Sequence, residues 1–526
     1  MVNYVTKDAP ADKPFTFNSA LTMGSFGLFN SFNSIGGTYK KWSYYGFLQY
    51  RILEGYRPNS GQRQVSGFGK LQYKASDKLS VGVEYSLLRN RVQMPGGLTD
   101  SMFKANPKLS TRARNWLKSP WNIIASTIQY NPTERTSINI KSSYLFSNRS
   151  LVWRNEDGGP DALDEIDPST NQFEPREVES EDMHNVTTEL RIAHNYDLGS
   201  GQSTLATGIR LSHAWFKQLG GGEGTTGSDF DLSTSGEWEI AFDFSTTNIA
   251  PFIENIFRLG TQFTVTPGFR FEYLNSKAKG YKMDDLERMA TDQSRDRYIP
   301  LFGLGLEYKA TSNSSLYGNI SQAYRPIDYG SMKPFGVTSK IDGNLKDAHG
   351  YNADLGYRGT IRNFLNFDLG VFYMAYNDRI GVVLKQDAAG NDYTLRTNAA
   401  NSVHKGIESY VEFNILKYLQ ASSKKGLSLF NSFAWIDAKY TSGEFKGNRV
   451  EAAARIINRV GINYSSPHFS GTFQYNYTGD AFGDASNART SSDPAAGYIP
   501  AYNVLDISAT YKFANFQIKA GVNNIT

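Results

Sequence analysis

Apolar and polar residues alternate at every second position through most of this chain. Phe263, Val265, Pro267, Phe269, Phe271 and Tyr273 form one row, and Thr264, Thr266, Gly268, Arg270 and Glu272 lie between them. The pattern recurs at Phe302, Leu304, Leu306 and Tyr308 against Gly303, Gly305, Glu307 and Lys309, and at Leu505, Ile507, Ala509, Tyr511 and Phe513 against Asp506, Ser508, Thr510 and Lys512. Successive side chains of a strand point to opposite faces, so each segment predicts a strand with one apolar face. Many of the segments exceed about 10 residues, whereas strands of globular sheets usually have 5–6.

The connections are alternately short and long. Short ones are Ser76-Asp77-Lys78-Leu79, Asn131-Pro132-Thr133-Glu134-Arg135, Leu198-Gly199-Ser200-Gly201, Thr311-Ser312-Asn313 and Pro467-His468-Phe469. Long ones are 94–118, 154–182, 225–248, 284–297, 327–350 and 483–501. Short turns on one side and long loops on the other predict an all-β fold, a transmembrane antiparallel β-barrel. Tyr44, Tyr45, Tyr308, Tyr511 and Phe513, near strand ends, are expected in the aromatic girdles. About 21 strands can be counted from Ser19 onward, and the even strand number of bacterial barrels predicts about 22 in the parent protein. Barrels of that width are normally plugged.

Composition narrows the function classes. With 55 Lys and Arg against 51 Asp and Glu, the net charge of +4 offers no basic footprint for nucleic acid. The absence of cysteine excludes disulfides, iron–sulfur clusters and a thiol nucleophile. No apolar run of about 18 residues occurs, so no helical span is expected; the mean hydropathy of −0.46 suits strands with one face on a polar lumen. No G-x-S-x-G, P-loop or H-E-x-x-H is present, so no enzyme is expected. Gly220-Gly221-Gly222-Glu223-Gly224 lacks the following Lys of a phosphate loop and reads as a flexible loop. No two of the 6 His stand at an i, i+4 spacing, so no structural zinc site is expected.

Several segments resemble the TonB-dependent outer-membrane receptors. Val2-Asn3-Tyr4-Val5-Thr6-Lys7 is similar to their last plug strand, and Met23-Gly24-Ser25-Phe26-Gly27 to their first barrel strand. Gly55-Tyr56-Arg57, Ser321-Gln322-Ala323-Tyr324-Arg325-Pro326, Asn344-Leu345-Lys346 with 351–357, and Gly521-Val522-Asn523-Asn524-Ile525 resemble further blocks of the family. Within it, 351–357, Asp378-Arg379-Ile380-Gly381 and Arg396-Thr397-Asn398 look most like ferric dicitrate receptors. Ala453-Ala454-Arg455 departs from the pattern, which usually has Pro before the Arg. The resemblance implies that residues 1–14 end a plug domain and lead into the barrel, that 15–526 form the barrel lacking its last strand, and that the signal peptide and most of the plug lie outside this chain.

It further implies a receptor and active transporter in the Gram-negative outer membrane, taking up ferric citrate or another ferric siderophore. Its partners would be the lipid bilayer, lipopolysaccharide and the TonB–ExbB–ExbD complex. Iron would be cargo, with no resident cofactor. Cobalamin, haem or an oligosaccharide is the alternative cargo, and a passive porin or an adhesive surface barrel the alternative class. An anionic chelate calls for converging cations, and the planar fork of Arg suits carboxylates. Candidates at upper strand ends are Arg57, Arg63, Arg89, Arg91, Arg149, Arg154, Arg325, Arg379 and Arg396, with Gln93 and Asn398 as neutral donors. Arg89 and Arg91 share a face, which is the lumen face if Leu88 meets lipid. Asp157, Asp161 and Asp164 lie in an acidic run that offers a weak calcium candidate.

Overall fold

The computed structural model describes residues 5–154, 163–199, 201–284, 287–334, 339–386, 392–490 and 497–525. One 23-stranded sheet dominates. Two of its members, Trp116–Lys118 and Ser339–Ile341, are three-residue strands lying in loops, which leaves 21 long strands among the described residues. In chain order these are β1 (Thr16–Gly24), β2 (Leu28–Tyr39), β3 (Trp42–Leu53), β4 (Gln62–Lys74), β5 (Leu79–Gln93), β6 (Trp121–Thr133), β7 (Thr136–Trp153), β8 (Glu177–Leu198), β9 (Gly201–Glu223), β10 (Ile240–Leu259), β11 (Phe263–Asp284), β12 (Glu287–Thr311), β13 (Ser314–Arg325), β14 (Ala348–Ile361), β15 (Leu365–Gln386), β16 (Asp392–Asn414), β17 (Gly426–Tyr440), β18 (Ile456–Ser465), β19 (Phe469–Thr478), β20 (Tyr502–Phe513) and β21 (Phe516–Val522). Each pairs antiparallel with its neighbours in sequence, giving the barrel wall its simple up-and-down order. Among the described residues, β1 pairs only with β2 and β21 only with β20.

The alternation produces two chemically distinct surfaces. On β12, Tyr298, Phe302, Leu304, Leu306 and Tyr308 face outward with 37–66% exposure, and Gly303, Gly305 and Glu307 face inward. The partner row on β11 runs from Tyr273 opposite Tyr298 to Phe263 opposite Tyr308. Ten residues at about 3.4 Å each, tilted about 40°, span roughly 26 Å, the height of a lipid-facing band. The Tyr298 and Tyr308 rings mark its two borders. Tyr44, Tyr308, Tyr511 and Phe513 lie on the outer face as expected, whereas Tyr45 is 7% exposed and turns inward, under the Lys7 ammonium 5.5 Å from its ring.

Two expectations need correction. Residues 284–297 were expected as a long connection, but β12 begins at Glu287 and pairs back to Asp284. The glycine cluster is the end of β9, where Gly220 pairs with Ile240 and Gly222 with Val178. Strands here continue above the lipid band, where both faces are polar and the apolar contrast that marks a strand is lost. The chain's start lies along the inner wall: Thr6 donates to Glu84 at 3.1 Å, Lys70 donates to Asp8 at 2.7 Å, and Thr38 holds the Pro10 carbonyl at 2.9 Å. Val2, Asn3 and Tyr4 of the plug-like motif lie outside the described residues.

Candidate functional site

The long connections gather at one end of the wall. On one side, segments 94–120, 163–176 and 224–239 lock together around three arginines, Arg112, Arg114 and Arg176, each at most 1% exposed. A buried guanidinium has five N–H donors that need partners. Arg114 grips Asp164 through Nε (2.8 Å) and Nη2 (2.6 Å), donates to the Thr226 carbonyl at 3.1 Å, and lies 4.3 Å from the Phe173 ring. Arg176 donates to the carbonyls of Asp229 (2.7 Å) and Arg114 (3.0 Å) and to the Thr225 hydroxyl (3.0 Å). Sequence reasoning missed all three, because irregular loops carry no periodic signal.

Three expected ligand residues belong to this cap. Arg57 donates to the carbonyls of Leu109 and Gly96, both at 2.8 Å. Gln93 donates to the Ala113 carbonyl at 2.8 Å. Arg154 donates to the Leu163 carbonyl and pairs with Glu174 at 3.5 Å and Asp164 at 3.8 Å. Their donors hold loops in place. Asp164, the described member of the calcium candidate, is taken by Arg114; Asp157 and Asp161 lie outside the described residues. Among the described residues no group of three His, Asp or Glu stands ready for a metal ion.

Across the mouth, the described parts of loop 326–347, residues 326–334 and 339–347, fold inward. Ile327, Met332 and Leu345 pack on Phe242, Phe244 and Ala278 of the inner wall, all at most 7% exposed, and Tyr329 stacks on Phe244 at 4.6 Å. Full burial of one such side chain is worth about 1.5–3 kcal/mol. Polar ties complete the seat. Arg297 pairs with Asp347 at 2.9 Å, Arg295 donates to the Leu345 carbonyl at 3.0 Å, and Lys333 donates to Gln218 at 2.7 Å. Burial lowers the pKa of the Lys333 ammonium, and Glu181 and Glu179 pull it upward.

Three further candidates meet at this loop. Asn398 donates to the carbonyls of Lys346 (3.0 Å) and Asp378 (2.8 Å) and accepts from the Lys346 N–H at 2.9 Å. Arg396 donates to the Gly330 carbonyl. Arg325 lies 3.7 Å from Asp328, with both side chains more than half exposed. Arg325 from β13 and Arg396 from β16 therefore reach one short turn, 328–332. Arg379 pairs with Glu451 at 2.6 Å, and Arg149 lies 3.2 Å from Glu181.

Arg89 and Arg91 require a correction. Val81, Val83 and Tyr85 of the same strand are 38–50% exposed on the lipid side, and Arg89 and Arg91 continue that odd-numbered row. Glu84, Leu88 and Asn90 form the inner row, with Glu84 held by Lys70 and Thr6 inside the lumen. Leu88 thus faces inward, and the arginine pair faces outward.

Residues 82–525 match the family described as TonB dependent receptor-like, beta-barrel. Among solved structures, the ferric citrate transporter FecA in its unliganded form superposes with a TM-score of 0.81 at 18% identity, covering 99% of this chain and 75% of that one. The siderophore receptor PiuA from Acinetobacter baumannii gives 0.77 at 13% identity, covering 99% and 78%. The copper transporter OprC gives 0.72 at 14%, covering 98% and 75%. No curated protein sequence is similar enough to count as a match. The family match extends from β5 into the last described strands, and the up-and-down antiparallel barrel is the fold it requires: this chain belongs to the TonB-dependent receptors, a family of Gram-negative outer-membrane transporters.

Proposed function

We propose that this protein imports a ferric chelate bearing carboxylates, of the ferric citrate type, with energy supplied through TonB–ExbB–ExbD. The observation that carries the reading is the convergence of Arg325 and Arg396 on the turn 328–332 at the inner edge of the mouth. The Arg325–Asp328 contact is long and exposed, so it contributes little and exchanges readily. A cargo carboxylate can replace Asp328 and gain a forked hydrogen bond from the guanidinium. The likeness to a ferric citrate transporter and a siderophore receptor supports the cargo class. Arg57, Gln93, Arg154 and Asn398 act one step back, by holding the loops that shape the mouth.

Ferric citrate binding to the full-length receptor, measured by isothermal titration, tests this. The double variant Arg325→Ala, Arg396→Ala is expected to bind at least about tenfold more weakly, roughly 1.4 kcal/mol. Unchanged affinity in a folded variant removes these residues from the site. Failure of the unsubstituted receptor to bind citrate, hydroxamate or catecholate complexes of iron overturns the cargo class itself.

A further inference from the structure

Above the lipid band, β12 stands without one of its neighbours. It pairs with β11 from Glu287 opposite Asp284 to Tyr308 opposite Phe263, but its pairing with β13 reaches only as high as Gly303 opposite Ser321. One residue higher, the Phe302 N–H already turns to the Gln322 side chain at 3.0 Å. Backbone groups of a strand alternate between its two sides. The Lys309 N–H reaches the Gln262 carbonyl at 2.8 Å, so odd-numbered residues bond toward β11 and even-numbered ones point toward the open side. The N–H and C=O groups of Arg288, Ala290, Asp292, Ser294, Asp296 and Tyr298 therefore point along the wall, with no described strand or backbone group against them. At about 3.4 Å per residue this edge is roughly 34 Å long.

Loop 326–347 follows β13 yet leaves this edge uncovered. Gln293 and Arg295 point into the lumen and hold the Met332 and Leu345 carbonyls there. Lys333 reaches Gln218 on β9, and Ser339–Ile341 pairs with β16 at Thr394–Arg396. The described parts of the loop thus lie inside the wall. The even-numbered side chains form an exposed outer row, with Arg288 at the top, Asp292 and Asp296 below it, and Tyr298 at the membrane border. Asp292 pairs with Lys279 at 3.3 Å, both about three-quarters exposed, through Oδ2. The hydrogen bonds that Asp296 accepts from Tyr273 (2.8 Å) and Asn275 (2.9 Å) both fall on Oδ1. Each carboxylate keeps a second oxygen without a described partner.

We propose that this edge takes an extended basic segment of another protein as an added strand on the loop side of the membrane. A long row of alternating N–H and C=O groups is matched along its length by another extended backbone. Opposite charges directly across a ladder are favourable and like charges are not. Asp292 and Asp296 therefore select Lys or Arg at alternate positions, and Arg288 rejects a further cation beyond them. Pro300, which offers no N–H to the open side, and the charged row keep apolar strands off the edge. A second copy of this chain cannot fill it. Two barrels in one membrane, related by a two-fold along its normal, both carry β12 downward with opposite leans of about 40°, so the strands cross at roughly 80° instead of running antiparallel.

Fluorescence anisotropy with the full-length receptor in phosphatidylcholine nanodiscs provides the test. The probe is a labelled peptide of about twelve residues in which Thr and Lys alternate. The controls are the same peptide N-methylated at every backbone amide, and a peptide in which Thr and Glu alternate. The expected result is saturable binding of the Thr–Lys peptide, at least tenfold weaker for each control, and weakened by a similar factor in Ser294→Pro. That substitution removes an N–H from the open edge and none from the ladder with β11. Asp292→Lys, Asp296→Lys is expected to shift the preference to the Thr–Glu peptide. No binding of the Thr–Lys peptide, or equal binding of its N-methylated form, overturns the added strand. Undiminished binding by both variants overturns the site on β12. The assay contains no iron complex, so its failure and that of the cargo reading are separate.

Discussion

At the scale of single residues, the buried guanidinium of Arg114 is the most exacting feature of the molecule. Its bidentate partner Asp164 is itself only 3% exposed, so removing one leaves the other charged and dry. Breaking such a pair costs about 3–5 kcal/mol. Arg114→Met is therefore expected to open the cap of segments 94–120, 163–176 and 224–239, seen as rapid trypsin cleavage in those segments, while the strands stay folded because the opening is local. Unchanged cleavage would show that the pair does not hold the cap. Little of this was legible beforehand. A loop arginine looks the same in sequence whether it is bonded by three carbonyls or free in water. The Arg89 and Arg91 pair shows the other limit. Their common face followed from a spacing of two, but which face it is depended on reading Leu88 as a lipid contact. The lumen also accepts apolar residues, and the longer row through Val81, Val83 and Tyr85 was the better guide.

At the scale of elements, β12 shows where the periodic signal begins and ends. Its outer row reads Asp292, Ser294, Asp296, then Tyr298, Pro300, Phe302, Leu304, Leu306, Tyr308. Only the second part alternates in polarity, and only that part was recognised as strand. The first part stays extended because it is hydrogen-bonded, residue for residue, to 275–284. Leu304→Arg, inside the band, is expected to lower folding stability in lipid vesicles by about 2–4 kcal/mol, while Ser294→Arg, above it, changes stability by less than about 1 kcal/mol. Urea titration of the two variants distinguishes them, and equal effects would contradict the placement of the band. Loop 326–347 adds a pH-dependent element. Hydrogen bonds from the Thr397 hydroxyl (2.6 Å) and the Asn344 N–H (2.8 Å) hold the Asp342 carboxyl below the usual carboxylate range. A lowered folded-state pKa contributes stability that is present above the unfolded value, about 4, and is lost as the pH falls through the folded value. Hydrogen exchange in 339–347, corrected for intrinsic rates, is expected to rise below about pH 4, and Asp342→Asn is expected to remove that rise. An identical acid response in both proteins would assign it to another group.

At the scale of the whole molecule, wall and mouth divide the work. The wall needs only alternation, antiparallel pairing and an apolar outer band, and it matches the ferric citrate transporter at a TM-score of 0.81 despite 18% identity. That is why the barrel and the approximate strand number could be read from the sequence alone. A copper transporter shares the same fold, so the fold alone does not name a cargo. On the proposed reading cargo choice is set at the mouth, where Arg325 and Arg396 reach the turn 328–332 beside the apolar seat on Phe242 and Phe244. The most direct measurement is uptake of radiolabelled iron by cells carrying the full-length receptor as their only transporter of this family. Iron is offered as citrate, hydroxamate and catecholate complexes, with and without a proton gradient. Energy-dependent uptake of the citrate complex, lost when Arg325 and Arg396 are both replaced by Ala, is the expected result. No uptake of any iron complex by a correctly inserted receptor would contradict the account and turn the search toward cobalamin, haem or glycan cargo.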